Sequence, residues 1–179
     1  FGPKTRLVIL NNPMNPTARS FDDEELGLLA EYCVRYDAIA ICDEVWEAVV
    51  PPPGTFKPLI GFPGMAERTI KIGSAGKMFG ITGWKVGLMV ASPALARMMA
   101  RAHQFLAFTT PPNLQTAVAY GLTKMPEWFD EMPAQMGLSR DRLAAGLTGA
   151  GFSVLPSQAT YFLTVDLTAS GIALDDRAF

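Results

Sequence analysis

Short apolar runs that stop at polar or turn residues, separated by stretches of helical periodicity, constrain the fold of this chain more than any other feature. The first run, residues 6–10, ends at Asn12-Pro13-Met14-Asn15-Pro16-Thr17, where the prolines remove backbone donors and rule out helix or central strand. Ser20 then reads as a helix N-cap, with Asp22 and Asp23 in the first turn, and Leu26, Leu28, Leu29, Tyr32, Cys33 and Tyr36 supply an apolar helical face. A second apolar run, 38–42, follows. The pattern predicts a βαβ unit, with Asn15 just past the C-terminal end of the first strand and Asp43 at that of the second. Ligands of open parallel sheets bind at that edge.

The same alternation continues. A run at 69–73 leads directly into the loop 74–85, and 86–90 reads as another strand. Ser92-Pro93 is a helix start with proline at the first position, predicting a helix over 94–104, and another is expected over 113–123. Beyond Pro126 a long helix, 127–147, ended by Gly149 and Gly151, precedes strand-like pieces at 152–155 and 161–166. The expected fold class is α/β: a mostly parallel sheet flanked by helices over residues 1–125, then over 126–179 a linking helix and the start of a small α+β domain. Pro51-Pro52-Pro53-Gly54 reads as a surface turn. The chain opens at Phe1 rather than methionine, and 174–179 reads as the beginning of an amphipathic helix, so an internal segment of a longer protein is expected.

Composition narrows the function classes. A chain of 179 residues with 49% hydrophobic residues and mean hydropathy of +0.19 buries a real core. Its net charge of −2, with no Lys or Arg run, gives no field for a nucleic-acid backbone. No apolar stretch reaches the roughly 18 residues a bilayer span needs. Two cysteines, Cys33 and Cys42, make no disulfide framework, and with His103 as the one histidine no soft metal-ligand set is available. No metal and no membrane partner are expected, and a reducing cytoplasm is the expected compartment.

The loop Ser74-Ala75-Gly76-Lys77-Met78-Phe79-Gly80-Ile81-Thr82-Gly83-Trp84-Lys85 puts two lysines and the Ser74 hydroxyl on one segment loosened by three glycines. A lysine flanked by Met78 and Phe79 loses hydration, which favours the neutral amine, and a neutral amine attacks an aldehyde to form a Schiff base. Lys77 is the candidate nucleophile. Ser74 can donate a hydroxyl hydrogen bond to a phosphate, and Lys85 supplies a point charge to the same anion. A P-loop would need glycine at position 71 and Ser or Thr at 78, where Lys71 and Met78 stand. Ser74-Ala75-Gly76-Lys77 also fits the Ser-x-x-Lys of serine acyl-enzymes, but their Ser-Asp-Asn and Lys-Thr-Gly elements are absent, and a strand rather than a helix is expected here.

Together with Asn12-Pro13-Met14-Asn15-Pro16-Thr17, Cys42-Asp43-Glu44-Val45-Trp46, Thr82-Gly83-Trp84-Lys85-Val86-Gly87 and Thr160-Tyr161-Phe162, this loop resembles the class I/II aminotransferases of the fold-type-I pyridoxal-phosphate enzymes, in the family's order and spacing. The resemblance implies pyridoxal 5'-phosphate as cofactor, amino acids and 2-oxo acids as substrates, and a homodimer. It implies that Lys77 binds the cofactor aldehyde and shuttles a proton, that Asp43 keeps the pyridine nitrogen protonated, and that Asn15 hydrogen-bonds the ring's phenolic oxygen. It implies that Val45 packs on the ring, that Ser74 and Lys85 hold the phosphate, and that Phe108 lies in a loop reaching the neighbouring subunit's site.

The sequence departs from the family at two places. Trp46 stands where the family has a tyrosine donating to the ring oxygen; its indole N–H either donates there or the ring fills the cleft. Ala18 replaces a glycine after the turn; a positive φ would cost an alanine about 1 kcal/mol, so the turn is expected to differ slightly. The family's substrate-carboxylate arginine, glycine-rich phosphate loop and ring-stacking aromatic fall outside these residues, so the segment alone is expected to be inactive.

Taken singly, each residue has a plainer reading. Lys77 alone is a solvated lysine, Asp43-Glu44 an exposed acidic pair or cap, and Asn15-Pro16 a turn. His103 reads as a surface or packing residue, Cys42 as a small core residue, and the methionines, Trp84 and Trp128 as packing groups. Four functions stay open: an aminotransferase, a C–S β-lyase of the same fold, a catalytically silent fragment, and a serine acyl-enzyme, which would require covalent labelling of Ser74 by a β-lactam. Pyruvate and ammonia formed without a 2-oxo acid acceptor would mark the lyase.

Overall fold

The computed structural model describes residues 1–173 and 177. Strand β1 (Leu7–Asn11), helix α1 (Asp23–Arg35) and strand β2 (Ile39–Asp43) form the parallel unit, with Leu10 beside Cys42 and Asn11 beside Asp43. Strand β3 (Thr69–Ser74) adds in parallel to β2, and β4 (Gly87–Ala91) pairs antiparallel with β3, so the sheet order is β1-β2-β3-β4. The first two strands lie one residue later than the apolar runs suggest. The polar residue at each strand end therefore belongs to the ladder, and Asn11 and Asp43 are register partners.

Helix α1 starts at Asp22, not Ser20. Asp22 Oδ1 accepts from the Glu25 amide at 2.9 Å, and Glu25 Oε2 accepts from the Asp22 amide at 3.1 Å, a reciprocal capping box. Ser20 instead donates its backbone N–H to Gln158 Oε1 at 2.9 Å. Leu28, expected on the apolar face, is exposed; Leu26, Ala30 and Cys33 are the buried positions and pack against Leu10, Ala40, Cys42, Leu59 and Met65.

Strand alternation gives the sheet two unlike faces. Leu10, Ala40 and Cys42 lie under α1. Burial, and after it the charge of Glu44, pushes the Cys42 thiol up to about 12, which makes it a small core residue and no nucleophile. The opposite face carries Asn11 and Asp43 at its C-terminal edge, and there Ile9 is 72% exposed.

Helices α3 (Pro93–Leu106) and α4 (Pro112–Lys124) follow, α3 starting at Ser92 with Pro93 in its first turn. Helix α5 (Trp128–Gly149) leads to an antiparallel pair, β5 (Ser153–Val154) and β6 (Val165–Asp166). The expected strand 161–166 is thus cut to its end, because Tyr161 and Phe162 turn onto Trp46. The helix anticipated at 174–179 lies almost wholly outside the described residues.

Candidate active site

Two neighbours fix the backbone of Asp43. Its carbonyl accepts from the Asn12 amide at 3.0 Å and from Asn11 Nδ2 at 3.1 Å, while Asn11 Oδ1 accepts from the Asn15 amide at 2.9 Å. Asn11 and Asn12 thus tie the turn bearing Asn15 to the strand end bearing Asp43. Their part was legible only as two amide side chains at a strand end. Asn12 is buried, and its Oδ1 also accepts from the Phe21 amide at 3.0 Å, which closes the turn.

Ala18, on the same turn, has φ 58°, so the turn keeps the left-handed geometry that alanine was expected to alter. The surroundings over-determine it. Ala18 is fully buried, its amide donates to Met14 at 2.8 Å, and its carbonyl accepts from Gln158 and Ala159, each at 3.0 Å.

Ser74 ends β3, and its place follows from register. Asp43 pairs with Ile72, and Ser74, two residues on, returns to that same face of the sheet. The β3–β4 connection, 75–86, makes a hairpin instead of a crossover, and this brings Lys85 close. Ser74 pairs with Gly87, and the Ala75 amide donates to the Val86 carbonyl at 3.2 Å, so Lys85 lies one residue from the closed neck of the loop. Lys85 itself is exposed and holds φ 58°.

Inside the loop, helix α2 (Ala75–Met78) is a single turn that carries Lys77. Ser74 is therefore a strand end with a helical turn behind it, a mixed setting rather than the strand expected throughout. Gly76 lets the loop fold on itself: a Cβ there would stand 2.9 Å from Thr82 Cα and 3.3 Å from Ser74 Oγ. Thr82 Oγ1 locks the approach by donating to the Gly76 carbonyl at 3.2 Å. Gly76→Val is expected to destabilise the full-length protein by about 1–3 kcal/mol through overpacking against backbone, read as a lower urea midpoint.

Lys77 is half-buried, and its Nζ lies 4.6 Å from the centroid of the Trp46 ring. Trp46 fills the cleft wall. It is 3% exposed, sits with Val49 and Met132, and meets Tyr161 and Phe162 edge-to-face at 5.2 and 5.1 Å. Val45 lies past the end of β2, in a turn, so strand alternation does not place it; it packs at the margin of the Trp46 cluster. Trp128, read from sequence as packing alone, also donates its indole N–H to the Met78 carbonyl at 2.7 Å, tying α5 to the lysine turn.

Asn15, Asp43, Ser74, Lys77 and Lys85 thus follow from strand ends at one sheet edge, whereas Phe108 does not join them. Phe108 lies in the loop after α3, with φ 61° and 78% of its surface exposed.

A family model for aminotransferase class I and II matches residues 1–179, and the chain belongs to that family. A probable N-succinyldiaminopimelate aminotransferase of Mycobacterium tuberculosis is 43% identical over 164 residues, covering 92% of this chain and 41% of that protein. Human kynurenine–oxoglutarate transaminase 3 is 35% identical over 183 residues, covering 98% of this chain and 40% of that one. The solved N-succinyldiaminopimelate aminotransferase of M. tuberculosis superposes with a TM-score of 0.93 at 41% identity, covering 99% of this chain and 46% of its own. YbdL of Escherichia coli, described as having a methionine aminotransferase function, matches with a TM-score of 0.93 at 32% identity, covering 99% and 47%. The fold is therefore that of the fold-type-I aminotransferases, and the chain spans about two fifths of the length of the curated relatives it matches.

Proposed function

We propose that this chain is the central part of a pyridoxal-phosphate-dependent aminotransferase that moves an amino group between an amino acid and a 2-oxo acid. One observation carries the reading: Asp43 and Ser74 share a face at one sheet edge, and the loop from Ser74 brings Lys77 and Lys85 to that edge. The donor set suits a phosphorylated pyridine aldehyde. It offers one amine, one carboxylate, and a hydroxyl with a second ammonium, and Gly76 leaves no Cβ between Ser74 Oγ and the returning loop.

When bound, the cofactor supplies an aldehyde and a cationic ring that stabilises negative charge at the substrate α-carbon. The chain's own residues do the rest. Lys77 holds the cofactor and carries the proton to and from that carbon; Asp43 keeps the ring nitrogen protonated; Asn15 hydrogen-bonds the phenolic oxygen; Ser74 and Lys85 hold the phosphate. Val45 and Trp46 line the ring's surroundings. The domain division at residue 125 and a cytoplasmic setting belong to the same reading. So does a homodimer, in which Phe108 reaches the neighbouring subunit; the exposure of Phe105, Leu106 and Phe108 supports it. Among the described residues no helix is long and apolar enough to cross a membrane.

Borohydride reduction of the full-length protein with pyridoxal phosphate, followed by peptide mapping, tests the assignment. The reduced adduct is expected on Lys77. An adduct confined to any other lysine overturns it, and release of pyruvate and ammonia without a 2-oxo acid replaces transfer with β-elimination.

A further inference from the structure

We infer that Trp46 is a positioning residue for Lys77, its indole face holding the ammonium over the cleft whenever the lysine carries its proton. The inference rests on the reading of Lys77 as the reactive amine. Lys77 Nζ stands 4.6 Å from the Trp46 ring centroid, inside the roughly 6 Å reach of a cation–π contact. Among the described residues Lys77 has no carboxylate partner and makes no hydrogen bond through Nζ, so the ring is the group that attracts it.

The ring is itself fixed. Tyr161 and Phe162 meet it edge-to-face at interplanar angles of 88° and 78°, and Val49 and Met132 close around it. The indole N–H makes no hydrogen bond among the described residues, so packing alone sets its orientation. Because a quadrupole attracts charge, this hold acts on the protonated amine and lapses when the proton leaves. A lysine that alternately takes and gives a proton is thus held in one state and released in the other. The contact requires an aromatic face at position 46 and is indifferent to a hydrogen-bond donor there.

Carbon-13 reductive methylation of the full-length protein, freed of cofactor, reads this geometry without any turnover. Protons over an aromatic face resonate upfield, so the Lys77 dimethylamino signal, identified by its loss in Lys77→Arg, is expected upfield of the other lysine signals. Trp46→Leu is expected to return it to theirs, whereas Trp46→Phe, which keeps a ring face, retains a displaced signal. A wild-type Lys77 signal among the others, or one still displaced in Trp46→Leu, overturns the inference. Should Trp46→Leu not fold, the wild-type and Trp46→Phe spectra decide. Borohydride mapping addresses the amine's reactivity separately, so failure of one reading leaves the other standing.

Discussion

With Lys77 as the reactive amine of the proposed aminotransferase, replacing it with alanine in the full-length protein is expected to lower kcat for amino transfer by about 10²–10⁴-fold through lost proton transfer alone, with the lost cofactor attachment adding to it. The fold should survive. Lys77 is half-buried on a one-turn helix and forms no ion pair among the described residues, so removing it forfeits one contact with Trp46, about 1–2 kcal/mol. Lys77→Arg separates charge from chemistry. A guanidinium keeps the positive charge over the Trp46 face but does not give up its proton in a protein, so it can serve as neither amine nucleophile nor base. The arginine variant is therefore expected to be as inactive as the alanine variant while unfolding at the wild-type temperature. Measured kcat in both half-reactions checks this, and an arginine variant with more than a trace of activity would place the reactive amine elsewhere.

The βαβ unit and the position of the loop 74–85 were legible because both depend on local chemistry. Apolar runs bounded by proline and asparagine turns define β1 and β2, and a glycine-loosened segment between strands marks the loop. Several other features depend on partners distant in the chain. Ser20 and Asp22 are both cap residues, and what separates them is Glu25, three residues after Asp22 and in reach of its amide. Trp46 stood out as an unusual residue, yet its orientation is decided by Tyr161 and Phe162, which a strand pattern had assigned to β6. The antiparallel return of β4 follows from a connection with no room for a full crossover helix, and that hairpin is what converts the spacing of Ser74 and Lys85 into proximity. Least legible was Lys71, a charged residue inside the apolar run that became β3.

Lys71→Met is expected to destabilise the full-length protein by about 3–5 kcal/mol near neutral pH, because it removes the partner of a buried carboxylate. Glu44 follows Asp43 and turns to the opposite side of the sheet. It is fully buried, its Oε1 accepts from the Leu59 amide at 3.1 Å, and its Oε2 lies 3.4 Å from Lys71 Nζ. The same ammonium binds Glu47 Oε2 at 2.6 Å. Burial, and to a lesser degree the charge of Glu47, raises the Glu44 carboxyl above its ordinary 4.5, while the Leu59 amide and Lys71 oppose the rise. A carboxyl raised in the folded state contributes stability that is fully present below 4.5 and is lost as pH climbs through the folded value. Without Lys71 that folded value rises further. The deficit of Lys71→Met should therefore be small in acid and grow with pH, visible as urea midpoints that diverge from wild type as pH climbs above 4.5. A deficit independent of pH would mean that lost packing, not the unpaired carboxylate, is responsible. Adding Glu44→Gln removes the stranded charge while keeping an acceptor for the Leu59 amide, so the double variant is expected to recover most of the loss and its pH dependence.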